Sequence, residues 1–160
     1  MSEKEQRACL LVKNYMWWSV GAGLIPVPFV DMIAVSGVQL RMLAEISKTY
    51  GVEFQEGRGK MLVASLLGYV VPNVLSFGSL ASILKAIPVV GQVVGAPSMG
   101  IFCGASTYAV GKIFVRHFES GGTFLNFNPE QVKEAFQKEF DDGSKLAANC
   151  QKEQPVQAAA

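Results

Sequence analysis

The sequence predicts an all-α protein made of two hydrophobic helical hairpins with proline turns, followed by a C-terminal amphipathic helix. Hydrophobic residues make up 50% of the chain and charged residues only 17%, against roughly 25% charged in ordinary globular domains. Residues 61–84 and 86–111 carry no charge and are separated only by Lys85. The net charge of +1 leaves no basic field, so nucleic acid is not an expected partner.

The first hairpin is predicted from proline and glycine positions. Residues 1–13 form a polar N-terminal segment that does not match a signal peptide, so the N-terminus is expected to stay in the cytoplasm. An apolar stretch over residues 14–25 leads to a turn at Pro26 and Pro28 and an outgoing helix that ends at Tyr50. Gly51 is then expected just past the helix end, in the left-handed conformation that glycine adopts most easily.

Polar residues within this hairpin suggest contacts outside it. From residue 39 onward the outgoing helix becomes amphipathic, and its polar face makes Arg41 and Glu45 candidates for docking a partner. Asp31 is expected in the first helical turn, where free amides and the helix dipole favour a carboxylate. An ion path or a partner contact is the alternative for Asp31. Tyr15 and the pair Trp17 and Trp18 are predicted to be interfacial membrane anchors.

The two charge-free runs predict membrane insertion. A helix as long as residues 61–84 reaches roughly 36 Å, enough for a hydrocarbon core about 30 Å thick. Arg58 and Lys60 precede the first run, and Lys112 and Arg116 follow the second. The positive-inside rule then places both open ends in the cytoplasm and the turn at Pro88 on the far side. The alternative is a protein whose two central helices are wholly buried.

Small residues recur on the second run at helical spacing. Such faces allow helices to approach closely, and in a bilayer this approach supplies much of the association energy. The spacing leaves open whether the neighbour lies in the same hairpin or in another subunit. The residues concerned are Gly91, Gly95, Gly100, Gly104 and Gly111.

The C-terminal region is predicted to leave the apolar environment. The proposed membrane domain covers residues 14–120, and an amphipathic helix region covers residues 121–143. Asn128 can cap this helix with Pro129 as its first residue, and Gly143 is a predicted stop. Phe136 and Phe140 belong to its apolar stripe, which either packs on the protein's own cytoplasmic face or docks a partner or a membrane surface. Residues 144–160 are expected to be flexible.

No arrangement of residues predicts catalysis, a cofactor or a metal. The nearest approach to a phosphate-binding loop, at residues 57–61, lacks both the first glycine spacing and the hydroxyl residue. His117 has no metal-ligating neighbour at the usual spacing. Cys9, Cys103 and Cys150 are widely spaced and are predicted to be free thiols.

A combination of motifs resembles a known bacterial family. The chain resembles the YcjF-like membrane family, catalogued as domain of unknown function 697, over roughly residues 12–145. The resemblance implies a helical membrane domain that is often fused to, or encoded beside, a small GTPase-like domain, and it implies no catalytic residues. The motifs are GLIPVPFVD at 23–31, QLRMLAEI at 39–46, YGV at 50–52, IPVVG at 87–91 and TYAVG at 107–111.

Three functions follow as hypotheses. The first is a non-enzymatic integral membrane anchor or scaffold in the bacterial inner membrane, serving a GTPase in trans or its own homo-oligomer. The second is an oligomeric pore or a membrane-shaping assembly, suggested by the small-residue faces and Asp31. The third is a soluble helical protein that binds lipid or self-assembles.

Overall fold

The computed structural model describes residues 2–22, 30–76 and 91–153, with side chains for residues 2–21, 36–70 and 100–149. Over these ranges the chain forms α-helices and no strand, which confirms the all-α class. The helices are α1 (Glu3–Ala22), α2 (Val30–Tyr50), α3 (Glu56–Ser76), α4 (Gly91–Glu119) and α5 (Pro129–Glu153).

Helix α1 begins earlier than its hydrophobic pattern suggests. Ser2 Oγ accepts a hydrogen bond from the Glu5 amide at 3.1 Å, which caps the first turn in the manner of an S-x-x-E sequence. The helix then continues past residue 13 without a break. The polar N-terminal segment is therefore the first half of α1.

Helices α1 and α2 pack side by side in opposite directions. The Tyr15 hydroxyl donates to Glu45 Oε1 at 2.6 Å, and further along α1 the Trp18 side chain faces Val38, which comes earlier in α2. The arms of the first predicted hairpin are thus antiparallel neighbours. Its turn, with Pro26 and Pro28, lies outside the described residues, as does Pro88, so both proline turns stay predictions. Asp31 falls in the first turn of α2, as expected, because that helix begins at Val30.

Helix α4 is central, with α1 and α5 packed along it. A Cβ atom at Gly104 would lie 2.5 Å from Val20 Cγ2, and one at Gly111 would lie 2.5 Å from Val12 Cγ2. These glycines therefore bring α1 close to α4. The sequence left two neighbours open for these glycines, the other arm of the same predicted hairpin or a second subunit. The structure instead places α1 against both Gly104 and Gly111. Gly100 is buried, and Gly91 and Gly95 belong to α4 in a part without described side chains.

Glycines also end α2 and α4. Gly51 has a φ of 71° and Gly121 a φ of 84°, the left-handed conformation that lets the following amide reach back to the last turn. The amide of Val52 accordingly donates to the Ser47 carbonyl at 2.8 Å, and that of Gly122 to the His117 carbonyl at 2.9 Å. The helix end predicted at Gly51 is confirmed.

Helix α5 starts where the sequence indicates and ends later. Asn128 Oδ1 accepts a hydrogen bond from the Glu130 amide at 3.0 Å, and Pro129 is the first helical residue. The predicted stop at Gly143 is wrong, because the helix runs through it to Glu153. A Cβ at Gly143 would meet the Ala105 Cα of α4 at 3.1 Å. This glycine therefore permits close packing of two helices, and the helix covers the first part of the tail predicted to be flexible.

The core contains the apolar stripe of α5. Phe136 is 0% exposed and Phe140 8% exposed, so these two docking candidates pack on the protein's own helices. At the same end of the bundle as the α4 C-terminus, Phe114 stacks on Phe127 with centroids 4.5 Å apart and an interplanar angle of 7°. Phe118 and Phe124 complete this aromatic cluster.

The described part of the chain contains no helix that is both long enough and apolar enough to cross a membrane. The spans predicted at 61–84 and 86–111 fall partly on residues 77–90, which lie outside the described residues.

Candidate functional site

A groove of 740 Å³ lies between α1 and α2. One wall is apolar and aromatic, and the other ends in a charged pair. Helix α1 contributes Leu11, Asn14, Tyr15 and Trp18, and helix α2 contributes Gly37, Val38, Arg41 and Glu45. Two of the sequence-predicted docking residues, Arg41 and Glu45, therefore share one site with two of the predicted membrane anchors.

The charged end of the groove is held by three side chains. Glu45 Oε1 accepts the Tyr15 hydroxyl and lies 3.7 Å from Arg41 Nε. Burial raises the pKa of the Tyr15 phenol most, and the Glu45 carboxylate raises it further. The Arg41 side chain is 78% exposed and that of Glu45 is 40% exposed. The guanidinium group is thus free to contact an external anion, while the carboxylate is already engaged by the protein.

The outer face of α1 next to the groove exposes a row of residues at helical spacing. Trp18 is 74% exposed, Leu10 62% and Trp17 40%. Large hydrophobic side chains so exposed on one face usually mark an interaction surface. The exposed row comprises Leu10, Lys13, Asn14, Trp17, Trp18 and Gly21, and we call it the tryptophan face.

Beneath the groove, three helices share a buried polar cluster. Ser19 of α1 and Thr107 of α4 exchange a hydrogen bond of 2.8 Å, and Gln39 Nε2 of α2 lies 3.2 Å from the hydroxyls of both Thr107 and Ser106. Gln39 is 0% exposed. Its Oε1 has no hydrogen-bond partner within the described residues. The sequence suggested interhelical bonds from Ser106 and Thr107, but it did not identify Gln39 as their partner.

Replacing Gln39 with leucine is expected to leave the free energy of unfolding unchanged or to raise it by about 1 kcal/mol. The substitution removes a buried acceptor without a partner, whereas Ser19 and Thr107 keep each other as partners. Thr107→Val is the contrasting variant, since it deprives both Ser19 and Gln39 of a partner and should lower stability by about 1–3 kcal/mol. Chemical unfolding followed by circular dichroism measures both. A clear loss of stability in Gln39→Leu would contradict the unpartnered state of Oε1.

A second polar contact joins α2 to the end of α4. The Tyr50 hydroxyl is buried, and no hydrogen-bond partner of good geometry is found for it in the described ranges. Burial raises the pKa of the Tyr50 phenol most, and the nearby Glu119 carboxylate raises it further. The nearby Ser2 hydroxyl lowers the pKa of Glu119 most, and the nearby Tyr50 hydroxyl lowers it further. The start of α1 and the ends of α2 and α4 therefore meet at one end of the bundle.

The raised pKa of Tyr50 gives an expected pH dependence. The folded protein holds the phenolic proton of Tyr50 more tightly than the unfolded chain does, where the pKa of tyrosine is about 10. The contribution to stability is therefore present below about pH 10 and is lost as pH rises through the raised folded value. Unfolding free energies measured across alkaline pH should fall more steeply for the wild type than for Tyr50→Phe. Equal slopes would show that Tyr50 titrates normally.

The other reactive side chains that the structure describes make local contacts. His117 Nε2 lies 2.9 Å from the Thr123 carbonyl and 3.1 Å from Asn126 Oδ1, which holds the turn after α4. Neither Cys9 nor Cys103 forms a disulfide within the described residues, and Lys112 Nζ lies 3.7 Å from Cys9 Sγ. Over residues 2–22, 30–76 and 91–153, no group of three or more His, Cys, Asp and Glu side chains could hold a metal ion.

Comparison with known protein families gives a match over most of the chain. The sequence profile of a domain of unknown function, DUF697, matches residues 1–145. The chain belongs to the DUF697 family. This confirms the resemblance seen in the turn motif and the QLRMLAEI helix. In the DUF697 chain, the tryptophan face and the groove both lie within the matched region.

A curated relative is Magnetosome membrane protein 22 of Magnetospirillum gryphiswaldense. It is 37% identical to this DUF697 chain over 138 residues, which is 86% of the chain and 71% of the relative. No solved structure matches the chain.

Proposed function

We propose that this DUF697 protein is a non-enzymatic, membrane-associated helical scaffold. The observation that carries the proposal is the composition of α3 after its exposed charged residues Glu56, Arg58 and Lys60. From Met61 onward the helix carries no charge, either on its exposed side or on its buried side. Between residues 61 and 70 the exposed positions are Met61, Ala64 and Gly68, and the buried ones include Leu62, Val63 and Leu66. A helix that is apolar all round is typical of a segment surrounded by protein or by lipid.

Two further observations support membrane association. Residues 77–90, which follow α3 and precede α4, carry a single charge, Lys85. The relative described above is named as a magnetosome membrane protein. We extend the proposal to integral insertion through residues 61–84 and 86–111, in the bacterial inner membrane with both termini in the cytoplasm.

The scaffold part of the proposal concerns the protein that this chain would bind. The protein would anchor either its own oligomer or a GTPase-domain protein in trans, since its own sequence has no phosphate-binding loop. The pore alternative has less support, because Gly104 and Gly111, which suggested packing between subunits, are occupied by α1 of the same chain.

Carbonate extraction of membranes from expressing cells tests the anchoring step. We expect the protein to stay in the pellet after alkaline carbonate washing and to need detergent for release. Complete release into the carbonate supernatant would refute integral insertion. Recovery in the first high-speed supernatant at physiological salt would refute membrane association itself.

A tagged pull-down from detergent extracts tests the scaffold step. We expect co-purification of a GTPase-domain protein or of an untagged second copy. A monomer that retains no partner under mild detergent conditions would contradict the scaffold role.

A further inference from the structure

The tryptophan face combines exposed indoles with positive charge. Its two tryptophans, Trp17 and Trp18, lie toward the C-terminal end of α1, and exposed Lys13 lies one turn before Trp17. Across the groove, α2 exposes Arg41 and, two turns later on the same side, Lys48. This side of the molecule therefore carries three exposed cations, of which Arg41 lines the groove together with Trp18.

The acidic group nearest these cations is internally engaged. Glu45 accepts the Tyr15 hydroxyl at 2.6 Å and is the neighbour of Arg41 at 3.7 Å. The two acids of the first turn of α1, Glu3 and Glu5, lie near the opposite end of the helix, and Glu3 is bonded to Arg7 at 2.8 Å. Among the described side chains, the three cations outnumber the one carboxylate of Glu45, so this side of the molecule carries a net positive charge, which complements an anionic surface.

The chemistry of tryptophan identifies the type of surface. An indole ring has an apolar body and one N–H donor, so it is most stable where an apolar layer meets a hydrated one. Tryptophan is accordingly enriched at the membrane–water interface. Lysine and arginine beside it gain further from anionic lipid headgroups, and they can extend their charged ends toward water.

We infer that the tryptophan face, with Arg41 and Lys48, lies in the headgroup layer of a bilayer that contains anionic phospholipid. Trp17 and Trp18 sit at the boundary between headgroups and acyl chains, and the three cations contact lipid phosphates. This inference rests on the proposed membrane association, and it names the lipid class and the side of the molecule that meets it.

The sequence makes the test direct, because Trp17 and Trp18 are its only tryptophans. Intrinsic tryptophan fluorescence therefore reports on this face alone. The full chain is reconstituted into vesicles of phosphatidylcholine and phosphatidylglycerol. Brominated lipids, which quench indoles on contact, are included with bromine placed either near the headgroup or near the chain end.

We expect blue-shifted emission and stronger quenching by bromine near the headgroup than by bromine near the chain end. At equal mole fraction, brominated phosphatidylglycerol should quench more than brominated phosphatidylcholine, by roughly twofold or more if the cations enrich anionic lipid. A triple variant with Lys13→Gln, Arg41→Gln and Lys48→Gln should lose this lipid preference. The matched control is Lys138→Gln, which removes an exposed charge from α5 and should retain it.

The outcomes separate the two proposals. If the protein floats with vesicles but its tryptophans are neither shifted nor quenched, this inference is overturned while membrane association stands. If the protein does not float, membrane association fails, and the inference with it. Quenching that is equal for both lipids, or unchanged in the triple variant, would overturn the role of anionic phospholipid. A blue shift that appears without lipid on raising the protein concentration would assign the face to a protein contact instead.

Discussion

Phe114→Ala is expected to lower the free energy of unfolding by about 3–5 kcal/mol. Phe114 is 0% exposed and lies at the centre of the aromatic cluster between α4 and the turn that follows it. Its ring stacks on Phe127 at 4.5 Å and contacts Phe124 at 5.5 Å and Phe118 at 5.7 Å. Truncation leaves a cavity at the centre of the cluster. The neighbouring rings belong to both α4 and the turn, and they cannot move together to fill it. Guanidinium unfolding monitored by circular dichroism gives the value.

The matched control for Phe114 is Leu125→Ala. Leu125 lies one residue after Phe124 but is 63% exposed, so its truncation should change stability by less than about 0.5 kcal/mol. Phe114→Leu should fall between the two, because most of the buried volume is retained. Similar losses for Phe114→Ala and Leu125→Ala would contradict the packing of the aromatic cluster.

Gly111→Ala is expected to lower the free energy of unfolding by about 1–3 kcal/mol. Alanine would ordinarily stabilise a helix by about 1 kcal/mol relative to glycine. At Gly111, however, the added Cβ would lie 2.5 Å and 2.8 Å from the two Cγ atoms of Val12, which is itself 0% exposed. Helix α1 must therefore shift away from α4 to admit one methyl group.

The same substitution at Gly68 is expected to have the opposite sign. Within the described residues, nothing lies within 4 Å of a Cβ at this position of α3, so Gly68→Ala should raise stability by up to about 1 kcal/mol. The two variants differ from wild type by one methyl group each, and thermal or chemical unfolding measures both. Stabilisation by Gly111→Ala would show that α1 and α4 are not closely packed at this glycine.

Sequence predicted the features that depend on a few neighbouring residues. The helix end at Gly51 and the start of α5 at Asn128 and Pro129 were both correct, because capping depends on one side chain and the nearby amides. The predicted stop at Gly143 was wrong for a related reason. A glycine ends a helix or lets another helix approach, and only the neighbour, here Ala105 of α4, decides between these roles.

The sequence predicted residues of the candidate site, but it did not predict their arrangement. Local pattern indicated Trp17 and Trp18 as anchors and Arg41 and Glu45 as docking residues, but nothing in it placed the two sets across one groove. The apolar stripe of α5 gave no sign that Phe136 and Phe140 are buried in the core. A hydrophobic stripe shows that a face must be covered, and it does not identify the helix that covers it.

By itself, the sequence determined the helical class, the end of α2 at Gly51, the start of α5 at Asn128 and Pro129, the apolar middle and the membership of the DUF697 family. These follow from residue spacing, from composition and from motifs that are contiguous in the chain. The tertiary structure alone decided that the small residues of α4 receive α1, that Gln39 joins Ser106 and Thr107 in a buried cluster, and that one exposed face carries both tryptophans. Contacts between helices depend on the relative rotation and register of distant segments, and these are set by the packing of the whole core.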